Sequence, residues 1–190
     1  MDRDQVQKIV EEVLRRVSQQ GAQVAEVPIP VGRDGVFQQA DDAVEAASRA
    51  YQKWRSLSLE VRGNCIEAMR ATSLKHAQEM ADMAYAETGL GRPEDKVRKN
   101  QLQARKTPGL EDLVSRSMTG DRGLTLLERA PFGVICSITP TTNPVATIIN
   151  NSISMVAAGN SVVFNPHPRA KKCSLRMMSL LNQAIVAAGG

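Results

Sequence analysis

Aromatic residues are scarce: one Trp, two Tyr and three Phe, 3% of the 190 residues. That excludes a base-stacking surface for nucleic acid, which needs aromatic platforms. Cysteine is scarce too, at three residues, and Cys65, Cys136 and Cys173 are too widely spaced for a disulfide framework or a metal site. We expect no metal and a reducing, cytoplasmic setting. No apolar run is long enough to cross a bilayer, so no membrane partner is expected. The dinucleotide fingerprint G-x-G-x-x-G is missing. Repeats and low-complexity segments are missing as well.

What is there is a globular composition, 42% hydrophobic and 23% charged. A net charge of +4 and a pI near 9.1 make it mildly basic, which favours anions such as nucleotide phosphates.

The stretch Pro131–Pro168 reads as strand, turn, helix, strand, turn. Val134, Ile135 and Ile138 lie in a short apolar run, the pattern of a buried parallel strand. Asn143 suits a helix N-cap and Pro144 the first helical position. Val145, Ile148, Ile149, Ser152, Ile153 and Val156 follow at helical spacing, and Gly159 suits the left-handed end. Ser161–Phe164 reads as a second strand, closed by a turn over Asn165–Pro168. Such a βαβ unit binds ligands at the carboxyl ends of its strands, where the two polar turns fall.

Around this stretch the chain divides into five parts. Residues 1–20 form an amphipathic helix, with Val6, Ile9, Val10, Val13, Leu14 and Val17 on one stripe. Residues 21–35, with three Gly and two Pro, read as a flexible linker. An isolated stripe of this kind has to be covered, by the chain's own body, a twin subunit or another protein. Residues 36–117 read as a helical lead-in, with helices over Asp41–Ser56, Leu59–Thr88 and Glu94–Lys106. The charges of the last helix read as a solvated face. Residues 118–130 carry a hairpin signal and a short strand. Residues 131–190 hold the βαβ unit and a helix over Arg169–Ala188. Cys136 falls inside the predicted buried strand, and Cys65 and Cys173 fall in helices, so all three read as inert small hydrophobes. A parallel sheet needs more than two strands, and the sequence stops where a third is due. We therefore expect a fragment of a longer protein.

The string PFGVICSITPTTNPVATIINNSISMVAAGNSVVFNPHPRAKK resembles the CoA-acylating branch of the aldehyde dehydrogenase superfamily. Glu87-Thr88-Gly89, Glu94-Asp95-Lys96, Lys99-Asn100 and Thr107-Pro108-Gly109 match that branch too, so the resemblance covers essentially the whole chain. Within the branch it is similar to the propionaldehyde and acetaldehyde dehydrogenases of bacterial microcompartments. The resemblance implies an α/β fold with an incomplete Rossmann-type parallel sheet, the first part of a nucleotide-binding domain. It implies oxidation of a short aldehyde with CoA and NAD, NADP not being excluded, to an acyl-CoA and NADH. It implies a homo-oligomer joined through the 118–130 hairpin region, and an encapsulation role for Met1–Gln20 toward shell or cargo proteins in the microcompartment lumen. The attacking Cys of such enzymes comes from a later half. The other reading is a non-catalytic truncated cargo or assembly module.

Ordinary members carry Pro-Trp-Asn-x-Pro at the first turn, where the Asn amide stabilises the oxyanion. Here the turn is Pro140-Thr141-Thr142-Asn143-Pro144, and ungapped alignment puts Thr142 where the Asn belongs. Asn143 is the first candidate by chemistry and Thr142 the second, and a capping role alone for Asn143 stays open. Thr139, Pro140 and Thr141 at this turn are expected to contact cofactor. At the second turn Asn165, Pro166, His167 and Pro168 replace Lys-Pro-Ser-Glu, which the resemblance places at the adenosine ribose; Asn165 can hydrogen-bond a ribose hydroxyl, and His167 is either a nucleotide contact or a plain loop residue.

Overall fold

The computed structural model describes residues 5, 7, 11, 32 and 34–190. Apart from residues 5, 7 and 11, the helix expected over Met1–Gln20 lies outside the described residues, as does most of the linker. Helix α1 spans Ala40–Trp54, α2 Leu59–Lys75, α3 Ala77–Thr88 and α4 Pro93–Lys106. A hairpin follows, β1 (Arg116–Gly120) and β2 (Gly123–Leu127), then β3 (Val134–Thr139), α5 (Pro144–Ala157), β4 (Ser161–Pro166) and α6 (Lys171–Ala187). The fold is mixed α/β, mostly helical, with a small parallel sheet.

Local chemistry sets several boundaries. Ser58 caps α2 by accepting from the Val61 amide. Gly89, at φ 67°, ends α3 in the left-handed region. Pro93 opens α4 with Glu94 and Asp95 in its first turn and Arg105 and Lys106 in its last, all favourable to the helix dipole.

The single helix expected over Leu59–Thr88 is two. His76 breaks it at φ −99°, ψ 10°, ending α2 while its carbonyl accepts from Met80 to start α3. Its Nδ1 meets Glu79 Oε2 at 2.6 Å, and Glu79 Oε1 accepts from Arg176 Nε of α6 at 3.1 Å. Burial opposes charge on Glu79, but these hydrogen bonds and the nearby cation hold its carboxyl below the usual range. The break thus turns α3 so that its first turn is tied to α6.

Helix α5 is the central element. Val145, Ile148, Ile149 and Ile153 are buried and pack with Met69 of α2, Met80 of α3 and Met177 of α6. Its two asparagines bond across elements. Asn150 Nδ2 donates to Gln103 Oε1 and Thr107 Oγ1, and Asn151 Nδ2 donates to Ser137 Oγ of β3. Gly159 closes the helix at φ 88°. Asn160 then accepts from the Phe132 and Gly133 amides and donates to the Met155 carbonyl, joining the end of α5 to the entry of β3.

β3 and β4 pair in parallel, from Val134 with Ser161 to Thr139 with Pro166. The expected burial of β3 is only half right. Ser137 and Thr139 are buried, but the alternate positions Val134, Cys136 and Ile138 are exposed, Ile138 at 78%. A strand turns successive side chains to opposite faces, and only one face here lies against α5. The turn expected at Asn165 starts later, because Asn165 and Pro166 continue the ladder beside Ile138 and Thr139. A short 3-10 turn, Pro168–Ala170, precedes α6. In the hairpin, β1 starts at Arg116 and every residue of both strands is exposed.

Candidate active site

Register places the ends of β3 and β4 side by side, so both polar turns leave the same end of the sheet. At the first turn, Thr139 Oγ1 and Thr141 Oγ1 are buried and have no hydrogen-bond partner among the described residues. Orphaned buried hydroxyls are uncommon and mark a place where a polar ligand group fits. Pro140 and Thr142 are exposed and Asn143 half-buried. At the second turn Asn165 and Pro168 are exposed. His167 is half-buried, and its Nδ1 accepts from the Arg169 amide. Two free hydroxyls beside the N-terminus of α5, with an exposed Asn amide and an imidazole next to them, are a donor set that suits a nucleotide.

Asn143 occupies the N-cap position of α5, yet its side chain makes no capping hydrogen bond. Its Oδ1 instead accepts from Lys99 Nζ at 3.1 Å. One turn back on α4, Lys96 Nζ donates to the Thr142 carbonyl at 3.3 Å. The solvated face expected for α4 is therefore partly wrong: Lys96 is only 7% exposed. Burial and the neighbouring Lys99 both disfavour its charge and lower its pKa. These lysines line a shallow pocket with Asn100, Asn143 and Pro144. The sequence signal that could have found them is Lys96, Lys99 and Asn100 at i, i+3 and i+4, one face of a helix.

Glu87 is a second residue the sequence did not explain. Its two carboxylate oxygens accept from the Lys172 amide at 2.7 Å and the Cys173 amide at 2.8 Å, capping α6 from α3.

Cys65 and Cys173 are fully buried. Burial raises the pKa of Cys65, and burial together with Glu87 pushes Cys173 up to about 12. Cys136 corrects the sequence reading: it lies in β3 as expected but is exposed on the bare face. Titration with an aromatic disulfide reagent should therefore find one reactive thiol in the folded chain and three in denaturant. Cys136→Ser should leave none in the folded chain; rapid labelling of Cys173 would contradict its burial. Among the described residues no group of three or more His, Cys, Asp or Glu is placed to hold a metal.

The aldehyde dehydrogenase family profile matches residues 19–189. The chain belongs to the aldehyde dehydrogenase family. It is 51% identical to the acetylating acetaldehyde dehydrogenase EutE of Salmonella typhimurium, over 100% of this chain and 39% of the relative. The propionaldehyde dehydrogenase of Rhodopseudomonas palustris, solved with bound CoA and an acylated cysteine, matches with a TM-score of 0.81 and 50% identity. That match covers 83% of this chain and 36% of the other. A propionaldehyde dehydrogenase from the fucose utilisation bacterial microcompartment of Clostridium phytofermentans matches with a TM-score of 0.80 and 49% identity, over 82% of this chain and 36% of that one. The chain thus spans about 39% of the length of the curated relative it matches.

Proposed function

We propose that this chain is part of a CoA-acylating aldehyde dehydrogenase, which converts propionaldehyde or acetaldehyde with CoA and NAD to acyl-CoA and NADH. The observation that carries the reading is the pair of adjoining strand-end turns, with two orphaned hydroxyls and a side-chain amide held off its own helix. In this reading residues 131–190 form the first part of a Rossmann-type nucleotide-binding domain, preceded by the lead-in at 36–117. Thr139, Pro140, Thr141, Asn165, His167 and Pro168 hold the cofactor, and NAD, when bound, takes up the hydride. Asn143 donates its amide hydrogens to the oxygen of the reacting carbonyl, and Thr142 is the alternative donor. The test is NADH formation from each aldehyde, CoA and NAD by a chain extended to the length of its relatives. No CoA-dependent NADH formation would defeat the reading in favour of a non-catalytic cargo module.

Assembly belongs to the same proposal. The 118–130 region joins copies into a homo-oligomer, supported by the exposed Met118, Leu124, Leu126 and Leu127 of the hairpin. Met1–Gln20 directs the protein to shell or cargo proteins inside a bacterial microcompartment in the cytoplasm, supported by its isolated apolar stripe. Fused to a fluorescent protein in cells that make microcompartments, Met1–Gln20 should give foci. Val10→Glu or Leu14→Glu should disperse them, because a charge enters the stripe that is covered on docking. Foci that survive both changes would refute this role.

Cofactor choice should be modest rather than absolute. Pro168 stands where a carboxylate would hold the ribose hydroxyls and repel a 2′-phosphate. Here that place is an exposed Pro followed by an exposed Arg169. Steady-state kinetics of the extended chain should show NAD preferred and NADP still used; absolute rejection of NADP at saturation would contradict the argument.

A further inference from the structure

Two lysines on one face of α4 grip two consecutive residues of the first turn: Lys96 holds the Thr142 carbonyl and Lys99 the Asn143 side chain. A lysine has donors only, so the atom facing Lys99 must be the amide oxygen. The amino group of Asn143 is then on the other branch of the amide. Among the described residues no hydrogen bond engages it, and the side chain gives none of its capacity to α5. That is unusual for Asn at an N-cap, where Oδ1 ordinarily accepts from the second or third helical amide, here Val145 or Ala146. We propose that Lys99 is a positioning residue: its ammonium draws Asn143 Oδ1 away from the helix and so presents the Asn143 amino group to the oxygen of the reacting aldehyde.

A cation on the carbonyl side of an amide also withdraws electrons from its nitrogen. The N–H groups become better donors to an oxyanion. Lys96, by fixing the backbone one residue earlier, sets where that amide hangs. The inference rests on the proposed reading of Asn143 as the oxyanion donor, and it assigns to α4 a part in the chemistry beyond packing.

The experiment is a double-mutant cycle in the chain extended to full length. Lys99→Met should lower kcat by about tenfold with the KM values for NAD and CoA nearly unchanged, because only a transition-state contact weakens. Lys99→Arg should restore most of the loss. In an Asn143→Ala background Lys99→Met should have no further effect, since both changes remove one unit. Additive losses, an unchanged kcat, or a rise in KM alone would overturn the proposal, the last by making Lys99 a phosphate-binding residue. A crystal structure of Lys99→Met gives a readout independent of turnover. Asn143 Oδ1 should swing to the Val145 or Ala146 amide; an Asn143 that stays in place refutes the positioning role even if the enzyme is active. A wild type that forms no NADH while Asn143 swings in the variant would instead defeat the reading of the reaction.

Discussion

The 190-residue chain, given propionaldehyde, CoA and NAD, should produce no NADH, and Cys136→Ser should leave that blank unchanged. The proposed chemistry needs a thiolate within reach of the aldehyde carbonyl and of the oxyanion donor. All three thiols of the chain are described, and none meets both conditions. Cys65 and Cys173 are sealed in the helical core. Burial and the Glu87 carboxylate push the Cys173 thiol up to about 12, so it stays protonated near neutral pH. Cys136 is exposed, but it sits in mid-strand, on the face of β3 opposite Ser137 and Thr139. The turn that carries Asn143 begins only after Thr139. The measurement is NADH absorbance with the isolated chain beside a chain extended to the length of its relatives, which should be active. Turnover by the isolated chain that disappears in Cys136→Ser would make Cys136 the nucleophile and overturn the expectation that the attacking thiol lies outside these 190 residues.

The βαβ unit was legible because most of its boundaries are local events, the end of β4 excepted, where pairing with β3 carries the strand on to Pro166. Asn143-Pro144 starts a helix, Gly159 ends one, and the 3.6-residue recurrence between them can be counted without knowing what it packs against. Other features failed where the deciding partner is distant in sequence. Nothing around His76 resembles a helix breaker, and the break is stabilised in part by Arg176, a hundred residues on. Lys96 looks like one more surface charge until the Thr142 carbonyl is seen beside it. Glu87 reads as an ordinary helix-end carboxylate, and its two amide partners lie on α6. The apolar run of β3 announced a strand but not which of its faces would be covered, so Cys136 was placed in a core it does not enter. Family membership came from the ordered strings of residues, not from periodicity, which by itself reached only a ligand-capable turn.

The choice between Asn143 and Thr142 is the sharpest expectation for the extended enzyme. Asn143→Ala should lower kcat by about 10²–10³, the loss seen when one oxyanion donor is removed, with little change in KM. Thr142→Ala should change kcat far less. The reason is geometric. Lys96 takes the Thr142 carbonyl and so fixes that residue through its backbone, which any side chain leaves intact. Asn143 instead reaches Lys99 through its side chain, and its amino group is the one uncommitted donor of that amide among the described residues. If Asn143 served only as a helix cap, its removal would lower the melting temperature and spare kcat. The structure predicts the reverse, a nearly constant melting temperature, because the side chain gives α5 no capping hydrogen bond. Kinetics and thermal melts on the two single variants separate the three roles. A large kcat loss confined to Thr142→Ala would transfer the donor role to that hydroxyl, and a melting shift without a kcat change would leave Asn143 a cap.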